Sequence, residues 1–167
     1  MNNLNKLYIS KNLEYSSNIR KEILDVIPKF SKRILDLGCG NGIVIQKILD
    51  KLNSSEIRKD INIHLIDIDQ RCIDQTLKSL KKVSSSNITV SFELASVFEK
   101  DPRELSFSFV YVFWRKSDVD NFPWKKISPG RIVSYKHEIE VLKKKLSQVV
   151  KSNSEWSEYE NLFVYDY

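Results

Sequence analysis

The chain of 167 residues is short of cysteine, with two, and of glycine, with four. Cys39 and Cys72 lack the paired spacing of a metal knuckle or a redox motif, so a metal site and a disulfide framework are excluded and both thiols are expected reduced. No run reaches the ~18 apolar residues of a membrane span. The polar opening, with Asn2, Asn3, Asn5 and Lys6, holds no signal-peptide core. These absences point to a cytoplasmic protein. At this length the expectation is a single domain over 1–167, and hydrophobic residues at 41% with charged residues at 29% are ordinary for a soluble globular one. The net charge of +5 invites a nucleic-acid partner. Its lysines, however, are spread over helical stretches such as Lys78, Lys81 and Lys82 and the run 143–145, where a charge run is ordinarily a solvated face. RNA stays open as a partner.

Three of the glycines fall together, in Arg33-Ile-Leu-Asp-Leu-Gly-Cys-Gly-Asn-Gly-Ile-Val-Ile-Gln-Lys-Ile-Leu49. The apolar pattern before Gly38 is strand-like and the pattern after Gly42, carried by Ile43, Ile45, Ile48 and Leu49, is helical. Strand, tight turn and helix follow one another. Gly38, Gly40 and Gly42 leave the turn without Cβ atoms, so backbone amides and the helix start can approach a ligand closely. A dinucleotide fingerprint needs a third glycine three places after the second, and Ile43 stands there. A nicotinamide cofactor is therefore disfavoured.

What remains, Asp36-x-Gly38-x-Gly40-x-Gly42, resembles motif I of the class I methyltransferases that use S-adenosylmethionine. The resemblance implies a Rossmann-like α/β sheet of order 3-2-1-4-5-7-6, its last strand antiparallel, with helices on both faces. It also implies an S-adenosylmethionine site at Asp36, Gly38, Cys39, Gly40 and Gly42. An acid suits this cofactor, which has no pyrophosphate but carries a cationic amino group and sulfonium.

The order of the remaining segments is consistent with that sheet. Ser16 or Ser17 caps an expected helix over about 18–27, stopped by Pro28, within a covering segment 1–30. The spacing predicts a helix from Gly42 to about Leu52, a strand over Ile61–Asp67, a helix from Gln70 to Val83 and a strand over Ile88–Leu94. Asp67 ends the second strand where an acid accepts hydrogen bonds from ribose hydroxyls, Ile68 is expected against the adenine, and Asp69 is expected to cap the next helix. Ser96 and Val97 occupy the place where this superfamily typically holds the adenine amino group, with a hydroxyl instead of an acid or amide. Phe107–Phe113 reads as a fourth, doubly buried strand whose end, Phe113, reaches the cofactor. Trp114 to Asp118 then shapes the acceptor pocket. The segment 120–130 is too short and proline-punctuated for a long helix, Arg131–Tyr135 is a fifth strand and Asn161–Tyr167 a terminal one. Leu142, Leu146, Val149 and Val150 fit helix or strand.

The absence of Asn/Asp-Pro-Pro-aromatic disfavours adenine, cytosine and glutamine as acceptors, and the fourth strand ends without the acid of a ribose-methylating Lys-Asp-Lys-Glu tetrad. Val110–Phe113, Ser128–Ser134 and Phe163–Tyr165 are similar to segments of the small archaeal protein lysine methyltransferases and their mitochondrial relatives. That likeness implies in-line methyl transfer to a neutral lysine amine of a protein substrate. Trp114 and Tyr135 fit either of two uses, steering the amine by cation-π contact or packing in the core. The alternatives are an RNA or small-molecule methyltransferase and a degenerate fold that binds a partner without cofactor.

Overall fold

The computed structural model describes residues 26–27, 32–40, 42–54, 60–80, 87–105, 107, 109–112, 114–151 and 161–167. The expected helix over 18–27 lies outside them apart from its last two residues, and so does Phe113.

Seven strands form one sheet: β1 (Arg33–Leu37), β2 (Ile61–Asp67), β3 (Ile88–Leu94), β4 (Phe109–Val112), β5 (Arg131–Tyr135), β6 (Leu146–Lys151) and β7 (Asn161–Asp166), in the order β3-β2-β1-β4-β5-β7-β6. The first five are mutually parallel, and β7 runs antiparallel to both β5 and β6. The chain leaves β1 toward β2 on one side and returns to β4 on the other, so β1 lies beside a topological switch point. Ligands of open α/β sheets bind outside the carboxyl ends of strands at that point.

Alternation along β1 divides the core. Ile34 faces helix α1 (Ile43–Ser54), whose Ile45, Ile48 and Leu49 are buried at helical spacing, together with Leu80 at the end of α2 (Gln70–Leu80). Leu35 and Leu37 face the opposite side. There the cover is thin: among the described residues it consists of 3-10 turns at Val97–Glu99, Pro102–Leu105, Trp124–Lys126 and Glu140–Lys145 and one short helix, α3 (Lys116–Asn121). Among the described residues helices thus lie on both faces, the long ones on the side of Ile34.

Helix α2 is described to Leu80, with 81–83 outside the described residues. Strand β4 starts at Phe109, while Phe107 is buried ahead of it and its N–H is spent on Leu105 O at 3.1 Å. The ambiguous segment after Glu140 resolves into a 3-10 turn followed by β6, because β6 finds a partner in β7 that local spacing does not reveal. Arg131 pins the end of this hairpin, donating Nε and Nη2 to the Asp166 carboxylate at 2.6 and 3.0 Å.

Candidate functional site

The turn after β1 is built by its glycines. Gly38 and Cys39 donate their N–H groups to Ile66 O at 2.8 and 3.2 Å, which ties the turn to the end of β2. Gly38, Gly40 and Gly42 all have left-handed φ, at 81°, 55° and 73°. Their surroundings distinguish them. A Cβ on Gly42 would meet Thr76 at 2.6 Å, so this glycine lets α2 pack on the turn; one on Gly38 would stand 2.9 Å from Trp114 Nε1. A Cβ on Gly40 would meet nothing within 4 Å, which leaves open space over the middle of the bend.

Two carboxylates flank this bend. Asp67 accepts the Gly40 N–H through Oδ2 and the Asp69 N–H through Oδ1, both at 2.9 Å. Each oxygen keeps a further acceptor site. Asp69 caps α2 as expected, with Oδ1 accepting the Arg71 N–H at 2.9 Å. Asp36 is 2% exposed and neither of its oxygens has a hydrogen-bond partner among the described residues. Burial first, and then the nearby Asp67 charge, push its carboxyl up to about 7. A buried carboxyl of this kind lacks a donor, and a cationic one would restore its charge. Cys39, buried beside it against Thr76, has its thiol pushed up to about 12 by burial and then by the two acids, and is inert as a nucleophile.

Above the carboxyl ends of β1, β2 and β4 lies a cavity of ≈320 Å3. Gly38, Asp67, Ile68, Ser96, Val97 and Trp114 line it, so six of the residues picked from the sequence converge on one space. Ile68 is 76% exposed, an apolar wall without other cover. Ser96 Oγ accepts the Phe98 N–H at 3.3 Å, capping the Val97–Glu99 turn and keeping one acceptor site. Phe98, not anticipated from the sequence, forms a further wall with Trp114, their ring centroids 5.7 Å apart. Its place in the turn capped by Ser96 is the signal that could have found it. Arg115 and Asp118 close the rim, paired at 2.9 Å.

Other expected residues are placed elsewhere. Asp36, Cys39, Gly40 and Gly42 support the bend from below and are not in the cavity wall. Of the two uses open to Tyr135, acceptor steering and core packing, its burial fits the second and not the first: it is 3% exposed in the core, packed with Leu162 and Val164, because its position on β5 faces the helix-covered side. Among the described residues no cluster of His, Cys, Asp or Glu is able to hold a metal ion.

A second cavity, of ≈340 Å3, lies over the middle of β2 and β3 on the thinly covered face. Its polar groups satisfy one another: His64 Nδ1 meets Ser91 Oγ at 2.8 Å and Nε2 meets Glu93 at 3.4 Å, while Lys100 pairs with Glu93. It lies away from the glycine bend and the strand ends, so the carboxyl-end cavity is the candidate site.

No protein-family model matches the chain, and no curated protein matches it. Solved structures do. A methyltransferase dependent on S-adenosylmethionine from Aquifex aeolicus is similar with a TM-score of 0.58 at 12% identity, over 87% of this chain and 88% of that one. Magnesium protoporphyrin IX methyltransferase from Synechocystis, solved with S-adenosylmethionine bound, gives 0.60 at 9% identity over 98% and 83%. Fibrillarin from Aeropyrum pernix, with natively bound S-adenosylmethionine, gives 0.55 at 13% over 81% and 66%. The fold is that of the class I methyltransferases. Solved structures of comparable likeness are named as O-, carbon and N-methyltransferases, so the fold does not choose the atom methylated.

Proposed function

We propose that this chain is an S-adenosylmethionine-dependent methyltransferase that methylates lysine amines of a protein substrate. The observation that carries the cofactor is the glycine bend itself: open space over Gly40, the Asp67 carboxylate at the tip of β2 and the unpartnered Asp36 carboxyl beneath. Those residues fit the molecule. Asp36 takes the cationic amino group, Asp67 offers its remaining acceptor sites to ribose hydroxyls, Ile68 and Val97 flank the adenine, and Ser96 accepts its amino group. Bound there, S-adenosylmethionine supplies a methyl group on a cationic sulfonium.

The chain's contribution is orientation and exclusion of water. The cavity carboxylates are committed to loop amides and to Arg115, so no dedicated base stands over the site among the described residues. A lysine amine, with pKa about 10.4 in water, arrives neutral if the pocket is dry and already holds a cation. Alignment then does most of the work. The aromatic edge of Phe98 and Trp114 suits an alkyl amine, and the segments around β4, β5 and β7 that resemble protein lysine methyltransferases support the same acceptor. Transfer of tritiated methyl to a cell lysate tests this. Label that survives ribonuclease and is released by protease supports a protein acceptor; label lost to ribonuclease overturns it in favour of RNA, toward which the +5 charge would steer.

A further inference from the structure

We infer that the indole N–H of Trp114 is the donor that holds the carboxylate of the cofactor's amino-acid end, while Asp36, beneath the bend, takes the ammonium. This rests on the cofactor reading above and goes beyond it by giving the N–H edge of Trp114 a ligand-binding role beside the steering by its ring. Two groups next to Gly38 lack partners among the described residues, and they are of opposite kind. Asp36, two positions before it, is a buried acceptor with both oxygens unpaired among the described residues. Trp114 Nε1 is a donor with no acceptor among the described residues, whereas the indole of the buried Trp124 is satisfied by Val119 O at 2.6 Å.

The position of the donor is specific. Nε1 would stand 2.9 Å from a Cβ on Gly38 and the adjoining ring carbon 3.2 Å from it, so the pyrrole edge of the indole lies against the glycine bend. Trp114 also lines the ≈320 Å3 cavity. The ring is held by its neighbours, with centroids of Phe122 at 5.2 Å and of Phe98 and Trp124 at 5.7 Å. With these rings around it, the edge that carries the hydrogen is the part left to a ligand at the bend. A buried acceptor beneath the bend and a donor edge against Gly38 match the two charges of a zwitterionic α-amino acid. A sugar or a base carries no such pair of charges.

The test compares S-adenosylhomocysteine, which carries that zwitterion, with methylthioadenosine, which lacks it. Calorimetry is run on the wild-type chain and on Trp114→Phe, which keeps an aromatic ring and removes the N–H. A hydrogen bond to a charged group makes the expected loss for S-adenosylhomocysteine tenfold or more, with methylthioadenosine unchanged within twofold. In the wild type, the indole N–H resonance absent from Trp114→Phe is expected to move downfield with the first ligand and stay in place with the second. Equal weakening of both ligands, or an indole resonance indifferent to the zwitterion, overturns the inference. If Trp114→Phe does not fold, indole resonances of the wild type that do not distinguish the two ligands overturn it alone. Failure of the wild type to bind either ligand is a different result, which sinks the cofactor reading first.

Discussion

Gly40 donates its backbone N–H to the Asp67 carboxylate at 2.9 Å, joining the bend after β1 to the tip of β2. The same carboxylate takes the Asp69 N–H at 2.9 Å, so one side chain sets both loops that frame the site. Asp67→Ala removes both acceptors. Unfolding in urea is expected to show a loss of about 1–3 kcal/mol, and calorimetry a loss of at least tenfold in affinity for S-adenosylhomocysteine. Asp67→Asn, which retains one acceptor oxygen, should fall between. A full loss of stability with affinity intact would separate the residue from the ligand and place it in the loops alone.

Gly42 and Gly40 make a contrasting pair. Gly42→Ala places a methyl 2.6 Å from Thr76 in a backbone with φ of 73° and is expected to cost about 2–4 kcal/mol in chemical denaturation. Gly40→Ala meets nothing within 4 Å, so its cost is confined to its left-handed backbone, about 1 kcal/mol. Its methyl nevertheless enters the space over the bend. The expected pattern is a large stability loss at Gly42 and, at Gly40, a larger loss of ligand affinity than of stability. The opposite pattern would mean that the open space does not hold the ligand.

How much of this site shows in the sequence depends on how local each signal is. Asp36 to Gly42 and Asp67 were legible because a change of period, a glycine spacing and an acid at a strand end are all written in contiguous residues. Tyr135 stayed open because an aromatic at the end of a strand fits a core face or a site rim equally well, and only the fold shows that the face it shares with Val133 is the one covered by helices. Val141 to Val150 stayed open between helix and strand for a related reason, since β6 depends on pairing with β7, which local spacing does not reveal. The thin cover opposite α1 was half visible. Pro123 and Pro129 warned against a long helix after β4, while Ser96 and Pro102 are weaker local marks of the 3-10 turns at Val97–Glu99 and Pro102–Leu105, whose path is set by tertiary packing of Val97 and Leu105. Phe98 entered the cavity with them.

Asp36 gives the protein a pH dependence whose sign is determined. Its carboxyl ionises about 7 in the folded chain against an ordinary 3.8, raised by burial and then by Asp67. Between those values the folded state holds a proton that the unfolded state has released, so this group makes stability fall as pH rises toward 7, with no further loss above it. The effect is on the order of a few kcal/mol. Asp36→Asn removes it, so in urea unfolding the variant should gain on the wild type between pH 5 and pH 8. A cationic ammonium restores the charged form, hence wild-type affinity for S-adenosylhomocysteine should rise with pH through about 7 and that of Asp36→Asn should not. An identical difference between the two proteins at both pH values would show that Asp36 does not titrate there.

Tyr165 makes a prediction that should leave the site untouched. Its ring is fully buried on β7, and its hydroxyl oxygen accepts the Ile139 N–H at 2.6 Å, fixing the chain between β5 and the Glu140–Lys145 turn. Burial raises the phenol well above its ordinary value, so the group stays neutral and keeps this role across the working pH range. Tyr165→Phe preserves the packing and strands a buried amide. The expected cost is about 1–3 kcal/mol in urea unfolding. Affinity for S-adenosylhomocysteine should stay within twofold, because Tyr165 packs in the core around Leu35 and Ile132 and is absent from the cavity wall. A loss of binding larger than the loss of stability would mean that the β5–β7 region transmits its packing to the bend.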